Sequence, residues 1–173
     1  MPAWRDHFAM LARYDLWATE RLLHDHVEPL SDADYRRACG LFFGSVHGTL
    51  NHLWVAGHGL WFPRFSEGVS PKRRLDEEAF EDRAALAAAL RDGARRWAAL
   101  IDTWDASRFE GRIDYTTTRG DPLSLPFAAT LTHVFNHGTH HRGQVSAALT
   151  AMGHAAPEID LVWMLLAESR GQP

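Results

Sequence analysis

The sequence predicts an all-α protein, a four-helix bundle folded as one domain over residues 1–173. Four long segments carry apolar residues at steps of three and four, the spacing that lines one face of an α-helix. Proline and glycine residues mark the ends of these segments. One stretch, 113–125, favours strands and a turn instead, so we expect a short β-hairpin-like insertion before the fourth helix.

The first two helices differ in the faces that they offer for packing. The first is predicted from Ala3 to Val27, because an apolar stripe starts at Trp4 and Pro29 ends the pattern. The second is predicted from Gly44 to Phe62, and Pro63 is expected to stop it. Small residues around one histidine form a face of this helix and leave space for a partner helix or a ligand: Ser45, Gly48, Thr49, His52, Ala56 and Gly59.

The remaining helices follow a surface loop at 66–78. The third is predicted from Glu78 to Trp104, because two apolar series repeat every seven residues along it. The fourth is predicted from Pro126 to Met152, with Gly153 as its stop. A short C-terminal helix is expected from Ile159 to Glu168, with four residues packing inward: Leu161, Val162, Leu165 and Leu166.

Composition excludes several classes of protein. A chain with 46% hydrophobic and 23% charged residues is typical of globular proteins, and a net charge of −4 offers no basic surface for nucleic acid. The chain contains no run of 18 apolar residues, so no membrane span is predicted, and its first residues do not resemble a signal peptide. Cys39 is the one cysteine, which excludes an internal disulfide and which we interpret as a buried packing residue. A cytoplasmic location is therefore predicted.

The stretch 133–144 holds the strongest functional signal, a series of histidines on the predicted fourth helix. His133, His137 and His141 are spaced four apart, so neighbours share one helix face and can grip a metal ion together. The spacing alone does not choose between the pair His133 and His137 and the pair His137 and His141. A third ligand must come from a facing helix, and His52 is the best candidate because small residues surround it.

Three nitrogen ligands leave a fourth position open, which is the arrangement of a catalytic metal site. The competing interpretation is that these histidines are ordinary polar residues of the core or surface. His140 lies off the line of the other three and is expected to face solvent or another subunit, and His47 lies off the face of His52. A di-iron site is disfavoured because the predicted fourth helix contains no acidic residue.

Three stretches of the chain, 11–22, 42–53 and 133–144, carry a family resemblance. The last contains Asn136-His137-Gly138-Thr139-His140-His141-Arg142-Gly143-Gln144, which matches the pattern N-H-x-x-H-H-R-G-Q. In these motifs the chain resembles the DinB family, part of the DinB/YfiT-like group of metalloenzymes. One departure is the absence of an acidic residue ahead of Trp61, where the chain reads Ala56-Gly57-His58-Gly59-Leu60.

The resemblance implies a four-helix bundle with one long crossover connection and a mononuclear site. Its ligands would be His52, His137 and His141, with His133 behind them or in the core. The cofactor would be one divalent transition metal ion, zinc or nickel, since imidazole suits either. The resemblance also implies a homodimer. Three further residues are expected to line the pocket or orient ligands: Tyr14, Trp17 and Gln144.

The resemblance also suggests a reaction. Related members are thiol-dependent, an isomerase that uses mycothiol and S-transferases that use bacillithiol. The leading hypothesis is therefore a metal-dependent S-transferase, or a related enzyme that activates a thiol or water, acting on a small-molecule thiol and an electrophilic substrate. The alternative is a non-catalytic metal-binding stress-response protein in which the metal clamps two helices. A weaker third hypothesis is a helical interaction module without metal.

Overall fold

The computed structural model describes residues 4–171, so the expected start of the first helix at Ala3 lies outside the described residues. Helix α1 spans Trp4–Arg21 and continues as a π-helical turn, Leu22–Val27, and α2 spans Asp32–Arg36. One continuous rod contains α3 (Val46–Trp54), a π-helical stretch (Val55–Trp61) and α4 (Phe62–Ser66). Helix α5 spans Arg83–Asp102, α6 spans Phe127–Ala151 and α7 spans Leu161–Ser169.

Four helical rods form the bundle, as the sequence predicts. Helices α1 and α3 each pack against α5 and α6 and therefore lie at opposite corners. The link from α5 to α6 joins the other two corners, and it is long enough to hold a 3₁₀ turn, Ala106–Glu110, and two strands. Strands β1 (Arg112–Thr116) and β2 (Pro122–Pro126) pair antiparallel, which confirms the hairpin-like insertion.

Two buried clusters fill the bundle. Large rings build the first, in which Trp97 of α5 contacts Phe62 and Phe135 at centroid distances of 5.1 and 5.9 Å. Aliphatic side chains build the second, including Leu50 of α3 and Leu149 of α6. Phenylalanine rings therefore supply much of the core together with Trp97 and Trp104, whereas the other tryptophans are half-buried or exposed.

Three expectations about local structure are wrong. Pro63 does not stop the second helix, because it lies where the π-helical stretch passes into α4 and the hydrogen-bond pattern changes, and the rod continues through it to Ser66. The short α7 does not bury Val162, Leu165 and Leu166, and Met164 is its buried residue. Cys39 is half-buried, with its sulfur 3.7 Å from the carbonyl oxygen of Gly44.

From residue 4 to residue 171, no helix combines the length and the apolar character that crossing a bilayer requires.

Candidate metal centre

Three histidines from two neighbouring helices converge on one point. Nε2 of His137 lies 3.2 Å from Nε2 of His52 and 3.0 Å from Nε2 of His141. Four tetrahedral ligands at zinc–nitrogen distances of about 2.0–2.1 Å would stand roughly 3.4 Å apart, close to these separations. Within the described part of the chain, these three residues are the group of histidine, cysteine and acidic side chains arranged to hold an ion.

Helix geometry explains why these residues meet. His137 and His141 are one turn apart on α6, and α6 packs directly against α3, which carries His52. The structure thus brings together the three residues that the resemblance implies. It leaves His133 exposed, with its ring centroid 5.5 Å from that of Trp61 and 5.7 Å from that of His137.

In His52 and His141, the ring nitrogen that faces away from the centre, Nδ1, forms a hydrogen bond that orients the ring. Nδ1–H of His52 donates to the carbonyl oxygen of Leu75 at 2.8 Å, and Nδ1–H of His141 donates to Oε1 of Gln144 at 2.7 Å. These hydrogen bonds direct the lone pair of each Nε2 towards the shared centre. Leu75 lies in the loop between α4 and α5, and no sequence signal marks a backbone oxygen as part of a site.

Burial keeps the three imidazoles neutral. Burial, together with the neighbouring histidines, lowers the pKa of His137 to about 3 and that of His141 to about 4, the latter against the opposing effect of the Gln144 hydrogen bond. Burial also lowers the pKa of His52, against the effect of the Leu75 hydrogen bond. Since a metal ion binds only the neutral ring, the three histidines are in the correct protonation state at neutral pH.

Phe43 covers one side of the centre. Its ring stacks on His52 with 3.8 Å between centroids and 14° between planes, and it meets His141 edge-on at 5.7 Å. The backbone at Phe43 can approach α3 because Gly48 has no side chain, and a Cβ there would lie 2.0 Å from the Phe43 carbonyl oxygen. Phe43 belongs to the second motif of the resemblance, but sequence reasoning did not give it a role at the site.

A groove of about 470 Å³, with Phe43 in its wall, lies between the start of α3 and the loop at 76–78. Its three acidic side chains are paired with cations: Asp76 with Arg74 at 2.8 Å, Glu77 with Arg73, and Glu78 with Arg36 at 3.3 Å. The groove is therefore large enough for a small molecule without being a strongly negative surface.

His47 has a structural role at the edge of this groove. It is buried, with Nδ1 3.1 Å from the Tyr35 hydroxyl and Nε2 2.6 Å from Oε1 of Glu78. The hydrogen bond from His47 holds the pKa of Glu78 below its usual range. This arrangement agrees with the prediction that His47 lies off the face of His52.

The other predicted residues lie in three different places. Gln144 orients His141, as anticipated, and His140 is exposed with Nε2 3.2 Å from the amide nitrogen of Gln144. Tyr14 instead donates to the carbonyl oxygen of Ile159 at 2.9 Å, and Trp17 packs beside it in the cluster around α7. The structure therefore places Tyr14 and Trp17 away from the three histidines.

A buried ion pair next to the centre escaped sequence reasoning. Nη1 of Arg142, directly after His141, donates to Oδ1 of Asp15 at 2.5 Å and to the Thr19 hydroxyl at 3.3 Å. Both charged side chains are almost completely buried. Asp15 lies in the first motif and Arg142 in the third, so the pair links α1 to the helix that carries two of the histidines.

The sequence pattern of the DinB family matches residues 5–172. The chain belongs to the DinB family. Protein DinB from Bacillus subtilis (strain 168) is 24% identical to this DinB-family chain over 157 residues, which cover 87% of this chain and 88% of that protein.

A solved structure agrees with the fold. YfiT from Bacillus subtilis, a probable metal-dependent hydrolase with an unusual four-helix bundle topology, matches with a TM-score of 0.64. The match covers 87% of this chain and 89% of YfiT at 14% sequence identity. At that identity the likeness establishes the architecture, and it confirms the predicted four-helix bundle.

Proposed function

We propose that this chain is a metal-dependent enzyme whose single divalent ion, zinc or nickel, is held by His52, His137 and His141. The observation that carries the proposal is the convergence of three neutral imidazoles on one point. Three nitrogen ligands are typical of catalytic zinc, because water or substrate takes the fourth position. The fold shared with YfiT, a probable metal-dependent hydrolase, supports the same class of chemistry.

When bound, the ion supplies Lewis acidity that lowers the pKa of a thiol or a water molecule. The chain itself holds the imidazoles in place through Leu75 and Gln144. Phe43 covers one side of the centre and also lines the groove. A small electrophilic substrate in that groove would contact Phe43, whose ring stacks on His52.

Our leading assignment of the reaction is transfer of a low-molecular-weight thiol to an electrophile, and hydrolysis is the second candidate. The family resemblance supports the transferase, and the likeness to YfiT supports the hydrolase. One screen separates the two: zinc-loaded and nickel-loaded protein is given mycothiol, bacillithiol or glutathione with a panel of electrophiles, and water alone with a panel of esters and amides. Turnover that needs thiol identifies the transferase, and turnover without thiol identifies the hydrolase.

The first test measures metal in untagged protein by elemental mass spectrometry, beside a His137→Ala variant. We expect about one zinc or nickel ion per chain in the wild type and a loss of nearly all of it in the variant, because two ligands at this point cannot hold the ion tightly. His140→Ala is the matched control, since His140 is on the same helix but exposed, and it should keep its metal. No metal in the wild type after reconstitution would contradict the proposal.

The alternative function, a non-catalytic protein whose metal clamps α3 to α6, predicts different behaviour. Chelation would then lower the melting temperature strongly, and the ion would have no exchangeable water. We expect an exchangeable water instead, because the three histidines fill only three positions. Water exchange on a cobalt- or nickel-substituted protein distinguishes the two.

We also propose that two copies of the chain form a homodimer through α7. Its outer surface is apolar: Val162, Trp163, Leu165 and Leu166 are all exposed. A helix that is apolar on nearly every side is normally buried, and contiguous apolar patches on soluble proteins mark interaction sites. The family resemblance favours a second copy as the partner.

A further inference from the structure

A small space between the helices lies behind the metal centre, with His137 in its wall. We call it the inner cavity. Its volume is about 30 Å³, and its polar lining comes from four residues besides His137: Asp15, Thr19, His58 and Arg142. A water molecule needs roughly 10–15 Å³ of such space and two to four polar partners, so the inner cavity has room for one or two waters.

Several polar atoms around the inner cavity lack a partner among residues 4–171. Nδ1 of His58 and Nε of Arg142 are buried and form no hydrogen bond. Nδ1 of His137 forms no hydrogen bond with these residues either, although it is not fully buried, and its Nε2 faces the other two histidines. Since buried polar groups are almost always hydrogen-bonded, to water where the protein offers nothing, the atoms of His58 and Arg142 point to a water in the cavity.

Acceptors for such a water are close by. The Asp15 carboxylate and the Thr19 hydroxyl each accept one bond from Arg142 and retain further lone pairs. The His58 ring packs against Gly93 of α5, where an added Cβ would lie 2.3 Å from its Cγ, and this contact keeps the ring at the cavity. Burial lowers the pKa of His58 to about 4, so one ring nitrogen is free to accept a hydrogen bond at neutral pH.

We propose that the inner cavity binds an ordered water that accepts the Nδ1–H of His137 and donates to His58 and the Asp15 carboxylate. The inference rests on the proposed function, because it assigns the outer partner of a proposed metal ligand. The water would accept the Nδ1–H of His137 and so orient its ring, as the Leu75 carbonyl oxygen orients His52 and Gln144 orients His141. Histidines that bind metals nearly always donate their other N–H in this way. The Thr19 hydroxyl accepts from Arg142, so its own proton is free to donate to the same water. His58, Asp15 and Thr19 are then positioning residues for the centre.

The first half of the test looks for the water without any metal. Oxygen-17 relaxation dispersion of the metal-free protein counts water molecules held for longer than nanoseconds. We expect at least one more such water in the wild type than in His58→Leu, and a crystal structure should place it between His58 and Asp15. An inner cavity that is dry in the wild type would overturn the inference, whether or not the protein binds zinc.

The second half measures the affinity for zinc alone by competition with a chromophoric chelator. His58→Leu and the isosteric Thr19→Val should weaken zinc binding by about tenfold or more, the usual effect of removing a partner behind a metal ligand. His26→Leu is the control, because His26 is not part of the cavity wall, and it should bind like the wild type. Thr19→Val carries the test if His58→Leu fails to fold.

The outcomes separate this inference from the proposed function. Unchanged zinc affinity in both cavity variants, with tight binding in the wild type, would overturn the inference and leave the function intact. A wild type that holds the water but binds neither zinc nor nickel would overturn the function and, with it, the link from this water to His137.

Discussion

Neutral histidines in the interior set how the molecule responds to acid. Burial holds the pKa of His137 near 3 and those of His58 and His141 near 4, against an ordinary value of 6.5. Well above pH 6.5 both the folded and the unfolded chain carry these rings neutral, so their effect on stability does not change there. Below that value the unfolded chain binds protons that the folded protein does not, and unfolding becomes more favourable.

We therefore predict that the free energy of unfolding of the metal-free protein falls steadily from pH 6.5 to pH 4.5. Denaturant titrations across this range measure the slope, which gives the number of protons taken up on unfolding. His58→Leu should reduce that uptake by about one proton, because it removes one such ring. A slope that is the same in wild type and variant would contradict a buried neutral His58.

The buried ion pair of Asp15 and Arg142 should contribute more to stability than an ion pair on the surface. Asp15→Ala leaves the guanidinium of Arg142 buried without its counter-charge, so we expect a loss of about 3–5 kcal/mol in the free energy of unfolding. Glu168→Gln is the control, since it removes the exposed partner of Arg13 and should cost at most about 1 kcal/mol. Equal losses from urea titrations of the two variants would mean that the buried pair contributes no more than a surface pair.

Among the helices and loops, the loop between α4 and α5 is hydrogen-bonded to three side chains of α3. The side-chain amide of Asn51 donates to the carbonyl oxygen of Phe80 at 3.1 Å and accepts from its N–H at 3.0 Å. His47 binds Glu78, and His52 binds Leu75. The loop therefore acts as part of the site, because its backbone holds one of the proposed metal ligands in orientation.

Gly93 of α5 lies against His58 of the π-helical stretch, and this contact predicts a change in stability opposite to the one that helix propensity alone would give. Alanine normally stabilises a helix relative to glycine by about 1 kcal/mol. Gly93→Ala should instead destabilise the protein by about 1–3 kcal/mol, because the new Cβ would lie 2.3 Å from Cγ of His58. Urea titration measures the change.

Two controls make this prediction specific. Gly143→Ala on α6 should be neutral or stabilising, since no atom lies within 4 Å of the added Cβ. In a His58→Ala background, Gly93→Ala should no longer destabilise, because the ring that it strikes is gone. A similar loss in both backgrounds would place the cause elsewhere than at His58.

The proposed dimer through the exposed face of α7 gives a prediction about the whole molecule. We predict that the wild type is a dimer by light scattering after gel filtration and that Trp163→Glu is a monomer, because a charge in an apolar interface is costly to bury. Val69→Glu, in an equally exposed apolar position of the loop after α4, should remain a dimer. A monomeric wild type would contradict the proposed assembly.

Local sequence patterns determined the four helical rods, the hairpin and the histidine pair on one face of α6. Such features depend on residues only a few positions apart: the three-to-four apolar spacing, Gly153 after α6 and the i, i+4 step from His137 to His141. His52 was also identifiable, because small residues on its face indicate space for a partner.

The tertiary structure decided everything that depends on contacts between distant parts of the chain. It left His133 exposed and brought His141 to 3.0 Å from His137, a choice that spacing left open. It also supplied the Leu75 carbonyl, the ring of Phe43 and the pairing of Asp15 with Arg142, none of which has a local signature. The physical reason is that a helix period fixes which residues share a face, whereas packing of whole elements fixes what that face meets.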